Sequence, residues 1–159
     1  MSKSCTHKVA CTLEELAVGA TKKLKMTFQG KQKSYNVKLK PGWKHGTKVT
    51  FHGNKSIPTM VFVIEELPHQ YLERHGDDLH YTHFISESLI SSEINLDIIL
   101  PSGDKFSRTV FIEGGLANGK RLVIPSKGMP IKGGEGRGNL VVEFRIRKVA
   151  PKKRNFVDG

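Results

Sequence analysis

The sequence predicts a mostly β protein built from two tandem, small β-sandwich-like domains, each with a short helix. Three observations carry this reading. Gly42-Trp43-Lys44-His45-Gly46 and Gly115-Leu116-Ala117-Asn118-Gly119 are two Gly-x-x-x-Gly turns that follow an extended segment and feed a short strand, and they lie about seventy residues apart. Each is followed, after a Gly/Pro-rich excursion, by an apolar run, Met60 to Ile64 in one case and Leu140 to Phe144 in the other. Around these landmarks apolar and polar residues alternate with the period of two that a half-buried strand requires. The spacing is too long for a solenoid repeat and suits duplication of one small domain.

The elements follow in order. Thr12-Leu13-Glu14-Glu15 has the hydroxyl and the carboxylate of a capping box, and Gly19 stops the helix after barely two turns. Leu24, Met26 and Phe28 alternate with Lys23, Lys25 and Thr27, so they form a strand. Gln29-Gly30-Lys31-Gln32 reads as a hairpin turn, and Tyr35, Val37 and Leu39 continue the alternation on its far side. Pro41-Gly42 interrupts the strand, which resumes from Thr47 to Phe51. His52 to Pro58 is a loop before the Met60 to Ile64 strand; Pro68-His69 ends that strand, and Arg74 to Asp78 reads as the junction between halves. The second half opens with a strand from Leu79 to Ile85, and Ser86 caps a short helical stretch to Ser91. Ile94, Leu96, Ile98 and Leu100 then alternate, and Pro101 to Asp104 turns the chain towards Phe106. Val123-Ile124-Pro125 leads into a glycine-rich loop, Gly128 to Gly138, and a last strand runs from Asn139 to Arg147. The expected domains are residues 7–76 and 77–148, with a disordered basic tail at 149–159.

Composition narrows the function. The formal charge is +11, and the lysines gather between Lys22 and Lys48 and in the tail. Such an excess points to acidic partners, whether nucleic acid, membrane surface or peptide, without choosing among them. The longest apolar run, Met60 to Ile64, is far too short to cross a bilayer. The N-terminus lacks the apolar core of a secretory signal, so a cytoplasmic location is expected. Cys5 and Cys11 are the only cysteines, Cys5 being placed in a frayed terminus. With no Cys-x-x-Cys pair, a thiolate zinc site is excluded, and neither a metal nor another cofactor is expected.

No convergent catalytic set emerges. His80 and His83, three apart on a strand, face opposite sides and cannot share a metal. Asp77 and Asp78 suit a turn better than an acid–base pair. The glycine-rich Gly133 to Gly138 precedes a strand and lacks the lysine and hydroxyl of a phosphate loop. A non-enzymatic role is expected. Two patterns favour binding instead. Met60 to Ile64 is apolar on both faces, so its second face must meet another layer, the other domain or a ligand. Lys22 shares a strand face with Leu24 and Met26, a cation beside apolar residues that suits the rim of a cleft for an extended, acidic peptide.

Several motifs together resemble a known family. Thr12-Leu13-Glu14-Glu15-Leu16-x-x-Gly19, Leu39-Lys40-Pro41-Gly42-Trp43-Lys44-x-Gly46-Thr47-Lys48, His75-Gly76-Asp77-Asp78-Leu79-x-Tyr81-Thr82 and Gly128-Met129-Pro130 … Gly138-Asn139-Leu140 are similar, in order, to the C-terminal substrate-binding region of DnaJ co-chaperones without a zinc-finger insert. The resemblance spans about residues 7 to 148. It implies two β-sandwich-like domains in an L-shaped or elongated arrangement. It also implies a peptide cleft on the first, lined by Val9, Leu24, Met26 and Phe62, with Lys22 and Lys25 at a basic rim. The implied partners are unfolded or extended client polypeptides and the acidic C-terminal tail of a DnaK-type heat-shock chaperone. The sequence has no His-Pro-Asp tripeptide and no amphipathic dimerisation helix after Arg147, so a fragment of a longer protein is expected, monomeric or weakly self-associating. The rival reading is a basic nucleic-acid-binding β protein. It calls for aromatics interleaved with cations on an exposed surface, whereas the lysines from Lys22 to Lys48 alternate mainly with aliphatic core positions. Neither nucleic acid nor membrane is therefore an expected partner.

Overall fold

In the structure, a computed structural model, residues 3–87, 93–111 and 118–148 are described. Eleven strands and one helix are named among them: β1 Ser4–Cys11, α1 Leu13–Val18, β2 Ala20–Phe28, β3 Lys31–Leu39, β4 Lys48–Phe51, β5 Thr59–Glu66, β6 Leu72–His75, β7 Asp78–Ser86, β8 Glu93–Ile99, β9 Lys105–Phe111, β10 Arg121–Ile124 and β11 Leu140–Arg147. The protein is mostly β, as expected. The helical stretch expected from Ser86 to Ser91 and the tail at 149–159 lie almost wholly outside the described residues, Ser86 itself ending β7.

Strands pair within two sets. In the first, β1-β5-β4 form one sheet and β2-β3 a hairpin; in the second, β6-β7-β11-β10 form a sheet and β8-β9 a hairpin. Parallel pairing of β1 with β5 recurs as β7 with β11, and antiparallel β4–β5 as β10–β11. The turns repeat to the atom. Gly46 N donates to Ile64 O and Ile64 N to Thr47 O; Gly119 N donates to Phe144 O and Phe144 N to Lys120 O, all at 2.8 Å. Ile64 and Phe144 are therefore equivalent, and with them His7 and Tyr81, Cys5 and Leu79.

Each set is a two-layer sandwich because alternation gives every strand one apolar face. Val9, Cys11, Met60, Phe62 and Ile64 face Tyr35, Val37 and Leu39, all buried. The rings of Tyr35, Phe51 and Phe62 pack together with centroids 5.2 to 5.7 Å apart. The second sandwich buries Leu79, Leu140, Val142 and Phe144 against Ile94, Leu96 and Ile98. These buried residues join in a single hydrophobic cluster. The β2–β3 turn is the two-residue Gln29-Gly30, with φ of 48° and 78°. Both values are positive, as the tight hairpin turn matched to strand twist demands.

Two sequence expectations change. Arg74 to Asp78, read as the junction, is instead the β6–β7 hairpin, with Leu72 paired to Tyr81 and His75 to Asp78. The crossing between strand sets falls at residues 67–71, between β5 and β6. Local turn chemistry could not distinguish a linker from a hairpin, because both use Gly and Asp. Cys5, placed in a frayed terminus, lies inside β1 and pairs with Met60. Its mostly polar neighbours hid the strand, since β1 buries only Val9 and Cys11.

Candidate functional site

The candidate site is the gap between β1 and β2. The two strands belong to different sheets and form no ladder with each other; they approach at two points, Cys11 near Lys22 and Cys5 near Phe28, and so run in opposite directions. At one end Cys11 feels both Lys22 and Glu15: burial raises its thiol pKa, Lys22 lowers it and Glu15 raises it. At the other end Cys5 and Phe28 line a common cavity of about 740 Å³ with Lys3, Thr27, Gln29 and the Asn54–Pro58 loop. Among the described residues, the outer edge of β1 carries no strand, and neither does that of β2. Open edges present unpaired backbone groups, which are templates for an incoming strand.

Local sequence explains the positions of the flanking side chains. On β2, Ala20, Lys22, Leu24, Met26 and Phe28 are half-buried while Thr21, Lys23, Lys25 and Thr27 are exposed. Leu24 lies opposite Tyr35 and Met26 opposite Lys33. On β1, Cys5, His7, Val9 and Cys11 share one face, but only Val9 and Cys11 are buried. Cys5 and His7 stay exposed on a face that is otherwise core, so no described residue covers them fully. His7 touches Phe62 edge-on, with ring centroids 6.1 Å apart.

Lys22 sits at the deep end of the gap, its Nζ 2.7 Å from Glu15 Oε2. Glu15 is held by the helix cap: the Thr12 amide donates to its carboxylate at 3.0 Å and its own amide donates to Thr12 Oγ1 at 3.1 Å. Burial alone would raise the Glu15 carboxyl, but the hydrogen bonds from Lys22 and Thr12 outweigh it and hold the pKa below the usual range. Lys33 lies over the Tyr35 ring at 5.1 Å. Tyr35 is buried, and its hydroxyl has no hydrogen-bond partner among the described residues. Burial pushes its pKa up, and the Cys5 thiol adds to that.

Of the six residues named from sequence, Lys22, Leu24 and Met26 come together on the half-buried face of β2. Val9 and Phe62 lie beneath, 3 % and 0 % exposed, as floor rather than contact surface. Lys25 faces the opposite side of the hairpin, because the strand period puts it out of phase with Lys22. Sequence reasoning did not assign Cys5, Phe28, Tyr35 or the Ile57–Pro58 segment to the site. Cys5 gave no signal in its polar neighbourhood, whereas Phe28 carried on the alternation of Leu24 and Met26 and was within reach. Among the described residues, no group of three or more histidine, cysteine, aspartate or glutamate side chains could hold a metal ion. No described helix is long and apolar enough to cross a membrane.

A family profile described as DnaJ C terminal domain matches residues 5–148. The human DnaJ homolog subfamily B member 5 is 31 % identical over 179 residues, covering 95 % of this chain and 49 % of its own length. Protein SIS1 of Saccharomyces cerevisiae is 32 % identical over 150 residues, covering 85 % and 42 %; the yeast mitochondrial protein import protein MAS5 is 34 % identical over 127 residues, covering 75 % and 31 %. The chain spans half or less of the length of these relatives.

Proposed function

The chain belongs to the DnaJ C-terminal domain family, and on that footing we propose that it is a co-chaperone module that binds extended segments of unfolded client polypeptides. The same cleft would take the acidic C-terminal tail of a DnaK-type chaperone. The two strand sets act as two domains divided at residues 67–71, and the first carries the site. The observation that carries this reading is the gap itself: two unpaired strand edges flanking half-buried Leu24, Met26 and Phe28, with exposed Cys5 and His7 on a core-facing surface. An extended peptide supplies both missing components, backbone partners for the edges and alternate side chains for the apolar floor.

Charge supports an acidic ligand. Residues 16–64 contain no aspartate or glutamate, and Lys22 and Lys33 bracket the apolar stretch of the hairpin. The test is a calorimetric titration with an acidic peptide ending in Glu-Glu-Val-Asp at two salt concentrations. Binding that weakens with salt is expected, because exposed lysines are screened. Absence of binding at low salt, to this peptide and to a permanently unfolded protein alike, would sink the reading.

A further inference from the structure

Cys5 and Cys11 lie on one face of β1, but only Cys5 is open to a reagent. Cys11 is 0 % exposed, its Sγ donates to Val9 O at 3.4 Å, and burial pushes its thiol up. Cys5 forms part of the wall of the cavity of about 740 Å³, a volume within the range of about 300–1,000 Å³ usual for small-molecule sites. By the register above, the second sandwich has Leu79 at the position of Cys5, and Leu79 is 0 % exposed. The first sandwich thus presents a thiol where the second buries an aliphatic side chain. The cavity is cationic: Lys3 and Lys55 line it, and no described carboxylate does. Before Glu65 the sequence has only Glu14 and Glu15 as acids, and these are paired with His69 and Lys22. The far wall is held in shape, Asn54 Oδ1 accepting from Ser56 N at 2.8 Å and Ile57 N at 3.0 Å. From the core side comes Tyr35, 2 % exposed, its hydroxyl without a hydrogen-bond partner among the described residues. Burial raises its pKa and the Cys5 sulfur raises it further, so the hydroxyl is within electrostatic reach of the thiol. A buried donor of this kind costs free energy until an acceptor arrives.

We propose that Cys5 is a redox-modification site that takes a glutathionyl group from glutathione disulfide, a small peptide disulfide bearing carboxylates. Cys5 Sγ gives up its proton to solvent and the thiolate attacks one sulfur of the disulfide. The bond from Cys5 to that sulfur forms as the disulfide bond breaks, and the other half leaves as a thiolate that takes up a proton. Cys5 is oxidised, the departing glutathione is reduced, and a reduced thiol reverses the exchange. Exposed cysteines in electropositive surroundings react in this way and buried structural ones do not, which separates Cys5 from Cys11. Lys3 and Lys55 receive the carboxylates of the incoming group, and Tyr35 offers its unused donor to the adduct. A consequence rests on the peptide-binding reading: the adduct fills the mouth of the gap and pairs off its cations, so oxidation closes the peptide site and reduction reopens it.

The experiment incubates the whole reduced chain with glutathione disulfide at low salt and follows Cys5 and Cys11 separately by peptide mapping. Cys5 should gain one glutathionyl group and Cys11 none, and dithiothreitol should remove it. Cystamine, a cationic disulfide, is the comparison. Each rate is divided by that of Cys5 with the same reagent in the urea-unfolded chain, which removes intrinsic reactivity. So normalised, glutathione disulfide should be preferred about tenfold, and Lys3→Glu with Lys55→Glu should abolish the preference. Lys120→Glu with Lys127→Glu, the same change of net charge on the second sandwich, should leave it intact. Tyr35→Phe, which removes an orphaned hydroxyl and should keep the fold, should lower the equilibrium extent of modification about fivefold. Equal modification of both cysteines, no preference for the anionic reagent, or a preference lost only in the distant pair of variants would overturn the proposal. So would indifference to Tyr35→Phe, or a Cys5–Cys5 disulfide between two copies in place of the adduct. The acidic peptide ending in Glu-Glu-Val-Asp should bind the modified chain about tenfold more weakly than the reduced one, through loss of paired cations. Equal binding to both would refute the closure. If the reduced chain binds neither this peptide nor permanently unfolded α-lactalbumin, the peptide-binding reading fails, while the modification is decided by its own rates.

Discussion

Phe62 and Leu24 look alike in sequence as candidate contact residues, yet they differ in what they can report. Phe62 is fully buried against Tyr35 and Phe51, so Phe62→Ala should cost about 3–5 kcal/mol and unfold the first sandwich. Leu24 is half-buried at the gap. Leu24→Ser should leave a cooperative fold and remove about 1–2 kcal/mol of peptide affinity; circular dichroism melts beside calorimetric titrations separate the two effects. Titratable groups set the pH response. Burial lowers the His83 pKa, and its ring lies against Phe144 with centroids 6.0 Å apart. A histidine depressed in the folded state is neutral in both states above its unfolded pKa of about 6.5. As pH falls through that value the unfolded chain takes up the proton first, so stability declines until the folded pKa is passed. His80 acts in the same direction, through burial, His75 and Arg121. Urea midpoints should fall between about pH 7.5 and 5.5, and His83→Phe should flatten that fall. An undiminished slope in the variant would exclude His83 as its source.

Among the elements, α1 is short, and its capping box is joined to the site. Six residues cannot hold a helix in isolation; Thr12 closes the first turn and buried Leu13, Leu16 and Ala17 dock it. Thr12→Ala should cost about 1 kcal/mol. It should also release Glu15, which pairs with Lys22, so peptide binding should change with helix stability. Unchanged binding kinetics in that variant would show that the cap and the cleft are uncoupled. The Glu15 carboxyl is held low, so its contribution is present above the unfolded carboxylate value of about 4.3 and is lost as pH falls through the folded pKa. The two hairpins show how outward faces diverge after duplication. On β8–β9 the outward groups satisfy one another, Ser107 Oγ donating to Asp97 Oδ1 at 2.6 Å and Thr109 Oγ1 to Asn95 Oδ1 at 2.8 Å. On β2–β3 the outward Lys23 and Lys25 lie opposite Asn36 and Ser34, which leaves a cationic face.

At the scale of the whole molecule, Arg74 ties the two strand sets together. Its side chain is 3 % exposed. Nε donates to Gly76 O at 2.8 Å, Nη1 to Trp43 O at 2.8 Å and to Glu66 Oε1 at 3.1 Å, and Nη2 to Gly42 O at 3.1 Å. Lys44 reaches Asp77 at 3.4 Å nearby. Gly42 completes the contact: an added Cβ would stand 2.7 Å from Lys132 N and Pro130 O, where φ is also +91°. Only glycine fits that approach. Arg74→Met should cost about 3–5 kcal/mol, because it strands Glu66 and three carbonyls. Arg74→Lys should not rescue it, since an ammonium lacks the planar fork. Calorimetric unfolding is the measurement, and separation of one transition into two would show that Arg74 couples the sandwiches. Full rescue by lysine would mean that charge alone matters there.

The sequence by itself determined the duplication, the mostly β class, the capping box, the hairpin at Gln29-Gly30 and the shared face of Lys22, Leu24 and Met26. All of these rest on neighbours a few residues apart: period two, cap spacing and turn chemistry act locally and leave a trace in the letters. The tertiary structure decided the rest. That β1 is a strand follows from its pairing with β5, more than fifty residues away, a partner its polar sequence does not announce. That Arg74 to Asp78 turns a hairpin rather than links two domains depends on β6 finding the edge of β7. Whether an edge is filled or open is a property of strand order, and strand order is set by which distant faces bury one another. The open edge of β1 is legible only once β6 is seen to cover the equivalent edge of β7, while no strand among the described residues covers that of β1.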